Sequence, residues 1–569
     1  MNDMNKYTWA PRRENFPAEE NLRKELGLSS LTAKLLVNRG LASPDEADLF
    51  LNGTLNDIAP PESIAGMDQA VSIIKETIQQ NGKIALFGDY DCDGLTSTAT
   101  FNYALEELNI YPLLYIPDRL TEGYGLSEKA IDSLISRGAT LLITFDCGVS
   151  DTEAVAYARK HGLKVIICDH HVPPVPLPNA DVILNPKLPD SVTSFKDLAG
   201  VGVSWKLAWC LLGHIMGEAA GKRFMEDNLD LVALGTYADM VPLIGENRII
   251  VRSGLNRMAS KLGLAALMTN SGINLESPSE TDIVYKLAPK INVAGRLGTP
   301  LLAYELLTTS SSREAYRISE SLSKLNDERR ILQQKVFQEA SRQYLKSRKD
   351  RVGLVLSSED WHPGVIGIAA SKMVETYGLP AVLISFNNGR GKGSGRGIPE
   401  TDLHAVMAEC SSLLESFGGH RMAAGLSLKR ENLSAFETRF NELVLKSIET
   451  VPQKPKLCFD GEIDIETLTL KMIQEIDCLR PFGQANPEPV FVANKLTSTR
   501  TREVGRNHLK MGVKKLFKEI DTIGFGLGKA LEPINSTPAG RLDLAFNLRI
   551  NHWNKRESIQ LNLLDIKAC

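Results

Sequence analysis

Gly88-Asp89-Tyr90-Asp91-Cys92-Asp93-Gly94 follows directly on the apolar run Ile84-Ala85-Leu86-Phe87 and leads into a helix-patterned stretch from Thr96 to Leu108. A short continuous apolar run that stops at an acidic loop and resumes as a helix reads as a strand buried on both faces, the parallel-sheet pattern. The pattern recurs. Leu113-Leu114-Tyr115-Ile116 is the next run. Leu141-Leu142-Ile143-Thr144-Phe145 stops at Asp146-Cys147-Gly148, and Val165-Ile166-Ile167-Cys168 stops at Asp169-His170-His171. In open parallel α/β sheets, ligands bind outside the carboxyl ends of the strands, so these three loops are expected to meet on one edge.

Four or five carboxylates converging there repel one another unless cations neutralise them. Carboxylates with imidazole and no thiolate cluster suit Mn²⁺ or Mg²⁺. Two such ions side by side activate a water and stabilise both oxygens of a phosphoryl displacement. Taken singly, each signal is weak: a D-x-D-x-D run is more often a turn or solvated loop, and a His-His pair is more often incidental. The run is not an EF-hand loop, because no Glu stands at its twelfth position. Three such loops, each directly after an expected strand, favour the metal site. Cys92, Cys147 and Cys168 each sit beside one of the acids and read as small buried residues rather than ligands. No phosphate loop competes. Gly88 to Gly94 lacks the Lys-Ser/Thr of a P-loop, and Gly389-Arg-Gly-Lys-Gly-Ser-Gly-Arg-Gly397 has Gly after its Lys.

Five segments are expected: an N-terminal helical extension (1–60), a parallel-sheet lobe (61–265), a helical linker (266–349), a smaller βα lobe (350–450) and a C-terminal β-barrel (455–569). The linker ends in a long run without Gly or Pro, from about 311 to 349, with Ile318, Leu322, Leu325 and Leu332 spaced as one amphipathic helix. The second lobe starts at Gly353-Leu354-Val355-Leu356 and continues through Ala381-Val382-Leu383-Ile384. Strand-like alternations at Leu509 to Val513 and Leu542 to Ile550 suggest the small barrel.

GDYDCDG, FDCGVS, CDHH and GTYADMVPL (235–243) resemble the four successive motifs of the DHH phosphoesterase superfamily. SFGGHRMAAGLSL (416–428) resembles the Gly-Gly-His motif of the associated DHHA1 domain. LAPKINVAGRLG (287–298) and LRPFGQANPEPVF (479–491) are closer still to the RecJ-type branch, bacterial single-strand-specific 5′→3′ exonucleases. The resemblance runs from about residue 60 to the C-terminus. It implies that Asp91, Asp93, Asp146, His170 and Asp239 ligate two Mn²⁺ or Mg²⁺ ions, with Asp146 as the bridge. Asp89 and Asp169 are expected to orient those ligands by hydrogen bonds, and His171 to touch a metal or the scissile phosphate. Phe87 departs from the pyrophosphatase branch, which has His there.

An exonuclease needs a feature that recognises an end. Arg390, Lys392, Ser394 and Arg396 lie in a glycine-alternating stretch, where the backbone can approach a phosphate and Arg can grip it bidentately. Ser394 and Arg396, with Arg119 from the first lobe, are expected to hold a 5′-phosphate. Gly397 stands where the family pattern has a hydroxyl residue. Read without the resemblance, the stretch is a flexible glycine loop with solvated charges. Gly418, Gly419 and His420 read either as a structural turn or as a substrate-phosphate contact. Trp361-His362-Pro363-Gly364 is expected to open a helix.

The net charge of -4 argues against a uniformly basic duplex-coating surface. It conceals a division: residues 495–518 hold Lys495, Arg500, Arg502, Arg506, Lys510, Lys514, Lys515 and Lys518 against Glu503 alone. A charge run is usually a solvated face, but in an OB-like barrel it reads as a single-strand groove. Phe517, Phe525 and Trp553 are the few aromatics nearby, so backbone contacts are expected to outweigh base stacking. No run reaches the roughly 18 apolar residues of a membrane span. MNDMNKYTWAPRRENF has no apolar core of a secretory signal. The scattered cysteines suggest reduced thiols in a cytoplasm.

The expected protein is thus an α/β, two-lobed, metal-dependent exonuclease with an OB-like barrel. It degrades single-stranded DNA from a 5′ end in repair and recombination, as a monomer, assisted by a single-strand-binding protein and a helicase. Two alternatives stand beside it: a DHH-type phosphodiesterase for short oligonucleotides or cyclic dinucleotides, and a non-catalytic single-strand-binding scaffold.

Overall fold

The computed structural model describes residues 6–12, 15–346, 351–448, 455–505, 507–535, 541–553 and 556–568. The chain divides into two compact units: Ile58–Val241 with Ile249–Pro452, and Met1–Asp57 with Pro242–Arg248 and Gln453–Cys569.

The first unit opens with helix α1 (Met67–Gln79) and a five-stranded parallel sheet. Its strands are β1 (Lys83–Gly88), β2 (Leu113–Tyr115), β3 (Ala139–Phe145), β4 (Lys164–Cys168) and β5 (Val182–Leu184), in the order β2-β1-β3-β4-β5. The apolar runs form the strands because both sheet faces are covered: Leu86, Phe87, Leu142, Ile143, Val165 and Ile167 are fully buried. The order reverses between β2-β1 and β1-β3, which opens a crevice at the carboxyl ends of β1 and β3.

Helix α2 (Cys92–Glu107) begins four residues earlier than the apolar pattern indicates. Asp91 is its N-cap: Oδ1 accepts from the backbone N–H groups of Asp93 at 2.9 Å and Gly94 at 3.1 Å. The acidic run is therefore a cap and first turn, a form in which Asp is favoured because it satisfies orphan N–H groups. Helices α3 (Gly200–Met216) and α4 (Leu229–Ala238) pack beside α2. Further along come α5 (Ala288–Arg296) and the expected long helix, α6 (Ser312–Lys346).

A second sheet completes this unit: β6 (Leu354–Ser358), β7 (Ala381–Asn387), β8 (Arg390–Arg396), β9 (Ser416–His420) and β10 (Ala423–Lys429), in the order β9-β10-β8-β7-β6. Helix α7 (Pro363–Tyr377) links the parallel pair β6 and β7, and the other pairings are antiparallel. The glycine-alternating stretch is thus a strand, not a flexible loop. A Cβ at Gly391 would lie 2.7 Å from Ile384, and one at Gly393 would lie 2.8 Å from Leu426. Only Gly fits that packed face, so Arg390, Lys392, Ser394 and Arg396 share the other.

In the second unit, five strands close into a barrel: Phe491–Val504, His508–Lys514, Glu519–Gly524, Arg556–Ala568 and Arg541–Trp553, the last pairing back onto the first. Closure removes the sheet edges. The expected N-terminal extension is helical over Phe16–Leu26, Ser30–Val37 and Pro44–Asn52, but it does not stand apart. Leu22, Leu35, Leu36 and Phe50 share one core with Leu496, Leu544 and Phe546 of the barrel. Thr8–Pro11 also pairs in parallel with Lys456–Phe459.

The tail's basic run proves less free than its local sequence suggests. Arg500 pairs with Glu519 at 2.9 Å and Asp521 at 3.2 Å, Lys510 with Asp521 at 3.7 Å, and Lys515 with Asp464 at 2.8 Å. The fold brings in acids from outside the basic window, Glu519 and Asp521 from a barrel strand and Asp464 from a helix cap, which corrects the reading of Glu503 as the only opposing charge. Arg502 and Lys514 are exposed and make no ion pair among the described residues, although Lys514 stands opposite Glu519 in the strand register. Arg506 lies outside the described residues, and nothing is described of the Trp553 side chain. Phe517 is 92% and Phe525 62% exposed.

Candidate metal centre

The backbone ladder continues one residue beyond each central strand and aligns the acids. Asp89 N–H donates to the Phe145 carbonyl at 3.2 Å, Asp146 to Cys168 at 3.0 Å, and Asp169 to Leu184 at 3.0 Å. Three carboxylates thereby stand in register on one sheet edge. Asp146 adopts φ 60°, left-handed backbone that a non-glycine residue rarely takes. Strain of this kind concentrates at functional sites.

His170 Nε2 lies 3.2 Å from Asp146 Oδ1, 3.5 Å from Asp239 Oδ2 and 3.8 Å from Asp93 Oδ2. Three overlapping groups have ligand atoms within 4.8 Å of one another: Asp89-Asp91-Asp146, Asp93-His170-Asp239 and Asp146-His170-His171. Asp146 belongs to two of them, the arrangement a bridging carboxylate needs. All five sequence-expected ligands therefore meet. Glycines clear the space: a Cβ at Gly200 would lie 3.0 Å from Asp146 and from Asp93, and one at Gly235 would lie 2.2 Å from Thr96 Oγ1.

Among the described residues, the buried Oδ1 atoms of Asp89 and Asp146 and Nε2 of His170 have no hydrogen-bond partner. Orphaned buried acceptors of this kind are rare and costly. Burial, then mutual repulsion, pushes the carboxyls up: Asp93 to about 7, Asp239 to about 9, with Asp89 and Asp146 also well raised. A donor set of carboxylates and imidazole with unsatisfied, self-repelling atoms fits two hard divalent cations. Asp93 also caps α3, its oxygens accepting from Gly200 N–H at 2.7 Å and Val201 N–H at 2.8 Å.

Asp89 and Asp169 differ in surroundings. Asp169 accepts from Val149 N–H at 3.1 Å, His170 N–H at 2.7 Å and His171 Nδ1 at 2.8 Å. Burial would raise its pKa, but the His171 hydrogen bond and charge outweigh burial and hold it at about 2. A carboxylate engaged in this way suits the orienting role expected from the sequence. Asp89 keeps an unpartnered oxygen among Asp91 and Asp146, which favours direct ligation over the orienting role read from sequence.

Three residues of the linker helix α5 join the site without having been expected there from the sequence. Asn292 Oδ1 accepts from Cys92 N–H at 2.7 Å, and a Cβ at Gly295 would lie 2.6 Å from the Tyr90 carbonyl, so α5 presses on the acidic loop. Arg296 follows. Burial, then Arg119 and Arg329, lowers its pKa to about 10. Arg119 stacks over the Tyr90 ring at 5.2 Å and also acts on Arg396. Arg396 Nη1 donates to Ser394 Oγ at 3.1 Å. Among the described residues, none of Arg119, Arg296 and Arg396 has an acidic partner within ion-pair distance. Asp91 acts on Arg296 and Arg119 on Asp89 without forming an ion pair, so the guanidinium donors of this half-buried group suit an anion. The motif LAPKINVAGRLG contains the signal, an Arg on a helix that otherwise packs, but its place beside Arg119 depends on tertiary structure.

The structure does not bring Arg390 to this group. It sits six residues down β8 from Arg396, about 20 Å of strand, paired with Glu415 at 3.4 Å. Lys392 Nζ donates to the Leu120 carbonyl at 2.7 Å, tying β8 to the loop that carries Arg119. Gly418, Gly419 and His420 lie on the exposed strand β9, and among the described residues no hydrogen bond or ion pair joins His420 to the acidic edge. His362 caps α7, its Nδ1 accepting from Gly364 N–H at 3.1 Å.

Family models match three parts of the chain: "DHH family, N-terminal domain" over 83–236, "DHHA1 domain" over 351–446 and "RecJ OB domain" over 459–565. The single-stranded-DNA-specific exonuclease RecJ of Bacillus subtilis is 36% identical over 566 residues, 98% of this chain and 71% of the relative. That of Haemophilus influenzae is 34% identical over 533 residues, 90% and 92% of the two chains. The crystal structure of RecJ with Mn²⁺ from Thermus thermophilus matches with a TM-score of 0.84 at 25% identity, covering all of this chain and 80% of the other.

Proposed function

This chain belongs to the RecJ family, and on that premise we propose that it is a metal-dependent exonuclease that shortens single-stranded DNA from the 5′ end. The observation that carries the reading is the pairing, within one unit, of an acidic edge with orphaned ligand atoms and a neighbouring arginine group that makes no ion pair among the described residues.

Asp89, Asp91, Asp93, Asp146, His170 and Asp239 would hold Mn²⁺ or Mg²⁺, with Asp146 shared. When bound, the two ions supply activation of the attacking water and positive charge for the phosphoryl oxygens. Asp169 holds the His171 ring through Nδ1, which leaves Nε2 as the nitrogen to act on a metal or the scissile phosphate. Arg119, Arg296, Arg396 and Ser394 hold the terminal phosphate and so position the first phosphodiester over the acids. Water oxygen joins phosphorus, the bond from phosphorus to the 3′-oxygen breaks, and that oxygen takes a proton. A 5′-mononucleotide leaves, and the shortened strand carries a fresh 5′-phosphate for the same arginines. Arg502 and Lys514 on the barrel contact the backbone of the strand.

The enzyme acts in repair and recombination, in the cytoplasm, as a monomer. A helicase and a single-strand-binding protein supply and hold its substrate. Among the described residues, no helix is long and apolar enough to cross a membrane. The test is hydrolysis of labelled strands bearing 5′-phosphate, 5′-hydroxyl or duplex ends, with and without Mn²⁺. The reading expects Mn²⁺-dependent release of mononucleotides from single-stranded 5′-phosphate ends. Cleavage confined to dinucleotides would favour the short-oligonucleotide phosphodiesterase, and binding without cleavage would favour the scaffold.

A further inference from the structure

A second cluster of ligating side chains lies away from the acidic edge. Cys210 and His214 are four residues apart on α3 and so share a face. Asp68 lies in the first turn of α1, and Glu62 in the short turn Pro61–Ser63 that precedes it. One ligand atom from each of the four falls within 4.8 Å of the others. We propose that Glu62, Asp68, Cys210 and His214 form a separate site for a zinc-class cation, which ties α3 to α1 and the turn before it.

Two observations support the assignment besides the spacing. The Cys210 thiol is buried, and its nearest acceptor is an acid: Sγ donates to Glu62 Oε1 at 3.6 Å. Neither Glu62 nor Asp68 has a lysine or arginine partner among the described residues, so two carboxylates face a thiol with no cation to balance them. A divalent cation reverses that balance, because the thiol sheds its proton to solvent on coordination and the carboxylates turn from opposing to supporting charge.

The donor types choose the metal. Thiolate, imidazole and carboxylate oxygens around one tetrahedral ion suit Zn²⁺. The acidic edge, built from oxygens and imidazole, suits the harder Mn²⁺ and Mg²⁺. One chain would therefore sort two classes of cation into two places. Gly200, about 15 Å along the same helix from Cys210, donates to Asp93. The proposed ion thus anchors the far end of a helix whose first turn is capped by a residue of the catalytic edge.

The test uses the full chain, stripped of metal, with the catalytic edge saturated by Mg²⁺ and then titrated with Co²⁺. A thiolate-to-cobalt charge-transfer band is expected, saturating at about one equivalent and bleached by Zn²⁺. Cys210→Ser and His214→Ala should lose the band. Glu62→Gln and Asp68→Asn, at exposed positions, should weaken Co²⁺ binding by roughly tenfold or more. All four variants should keep Mn²⁺-dependent hydrolysis of single strands. Absence of the band from the unsubstituted protein would overturn the proposal. So would a band undiminished in Cys210→Ser, which would assign it to another thiol such as Cys92. If Cys210→Ser does not fold, unchanged Co²⁺ affinity in both His214→Ala and Glu62→Gln overturns it equally.

Discussion

Asp169 Oδ1 accepts a hydrogen bond from His171 Nδ1 at 2.8 Å, so a carboxylate at the end of one strand sets the orientation of the imidazole two residues on. Asp169→Asn keeps the shape and removes the charge. Loss of such an orienting partner typically costs 10- to 100-fold in activity or metal affinity, so a fall of about that size is expected. Steady-state hydrolysis across a Mn²⁺ titration measures it. His171→Ala should abolish most of the further effect of Asp169→Asn, since the two act as one unit.

Arg296 stands with Arg119 and Arg396 at the proposed phosphate anchor. Arg296→Ala should lower kcat/KM on 5′-phosphorylated strands by about 10- to 100-fold, the worth of a charge-assisted hydrogen bond of roughly 1.5–3 kcal/mol. On 5′-hydroxyl strands the fall should be small. Equal losses on both substrates would remove Arg296 from the anchor.

The metal-free edge should be weakened by alkali. Asp93 and Asp239 have folded pKa values raised to about 7 and about 9, by burial first and by neighbouring acids second. A raised carboxyl contributes stability that is complete below its ordinary value near 4 and is lost as pH rises through the folded pKa. Thermal melts of the metal-free chain should therefore fall between pH 6 and pH 9, and the rise in Tm on adding Mn²⁺ should be larger at pH 9. An equal Mn²⁺ effect at both pH values would contradict this.

On the barrel, Glu519 and Asp521 hold Arg500 and Lys510. Glu519→Gln with Asp521→Asn should free both cations. Single-strand binding should tighten, and the slope of log K against log salt should steepen by about 0.7 for each added phosphate contact. Arg502→Ala should make the slope shallower by a similar amount.

How much can be read from the sequence follows from which facts are local. A buried strand and the acid that ends it are neighbours in the chain, so Asp91, Asp146 and His170 can be placed on one edge before any coordinates. The ladder bonds that set Asp89, Asp146 and Asp169 in register are not local, nor is the left-handed backbone of Asp146. The start of α2 escapes the apolar pattern because Asp91 is both a ligand candidate and a cap. The partners of Arg500 lie across a strand pair, outside the basic window of residues 495–518. Asn292 and Arg296 reach the acidic loop from about 200 residues away in sequence, as the separation of Asn292 from Cys92 shows.

Asp146 is proposed to join two metal positions on one catalytic edge. The most direct test is Asp146→Ala, with hydrolysis and single-strand binding measured on the same preparation. Hydrolysis should be abolished while binding to a single strand is retained. Hydrolysis at a substantial fraction of the unsubstituted rate would contradict it.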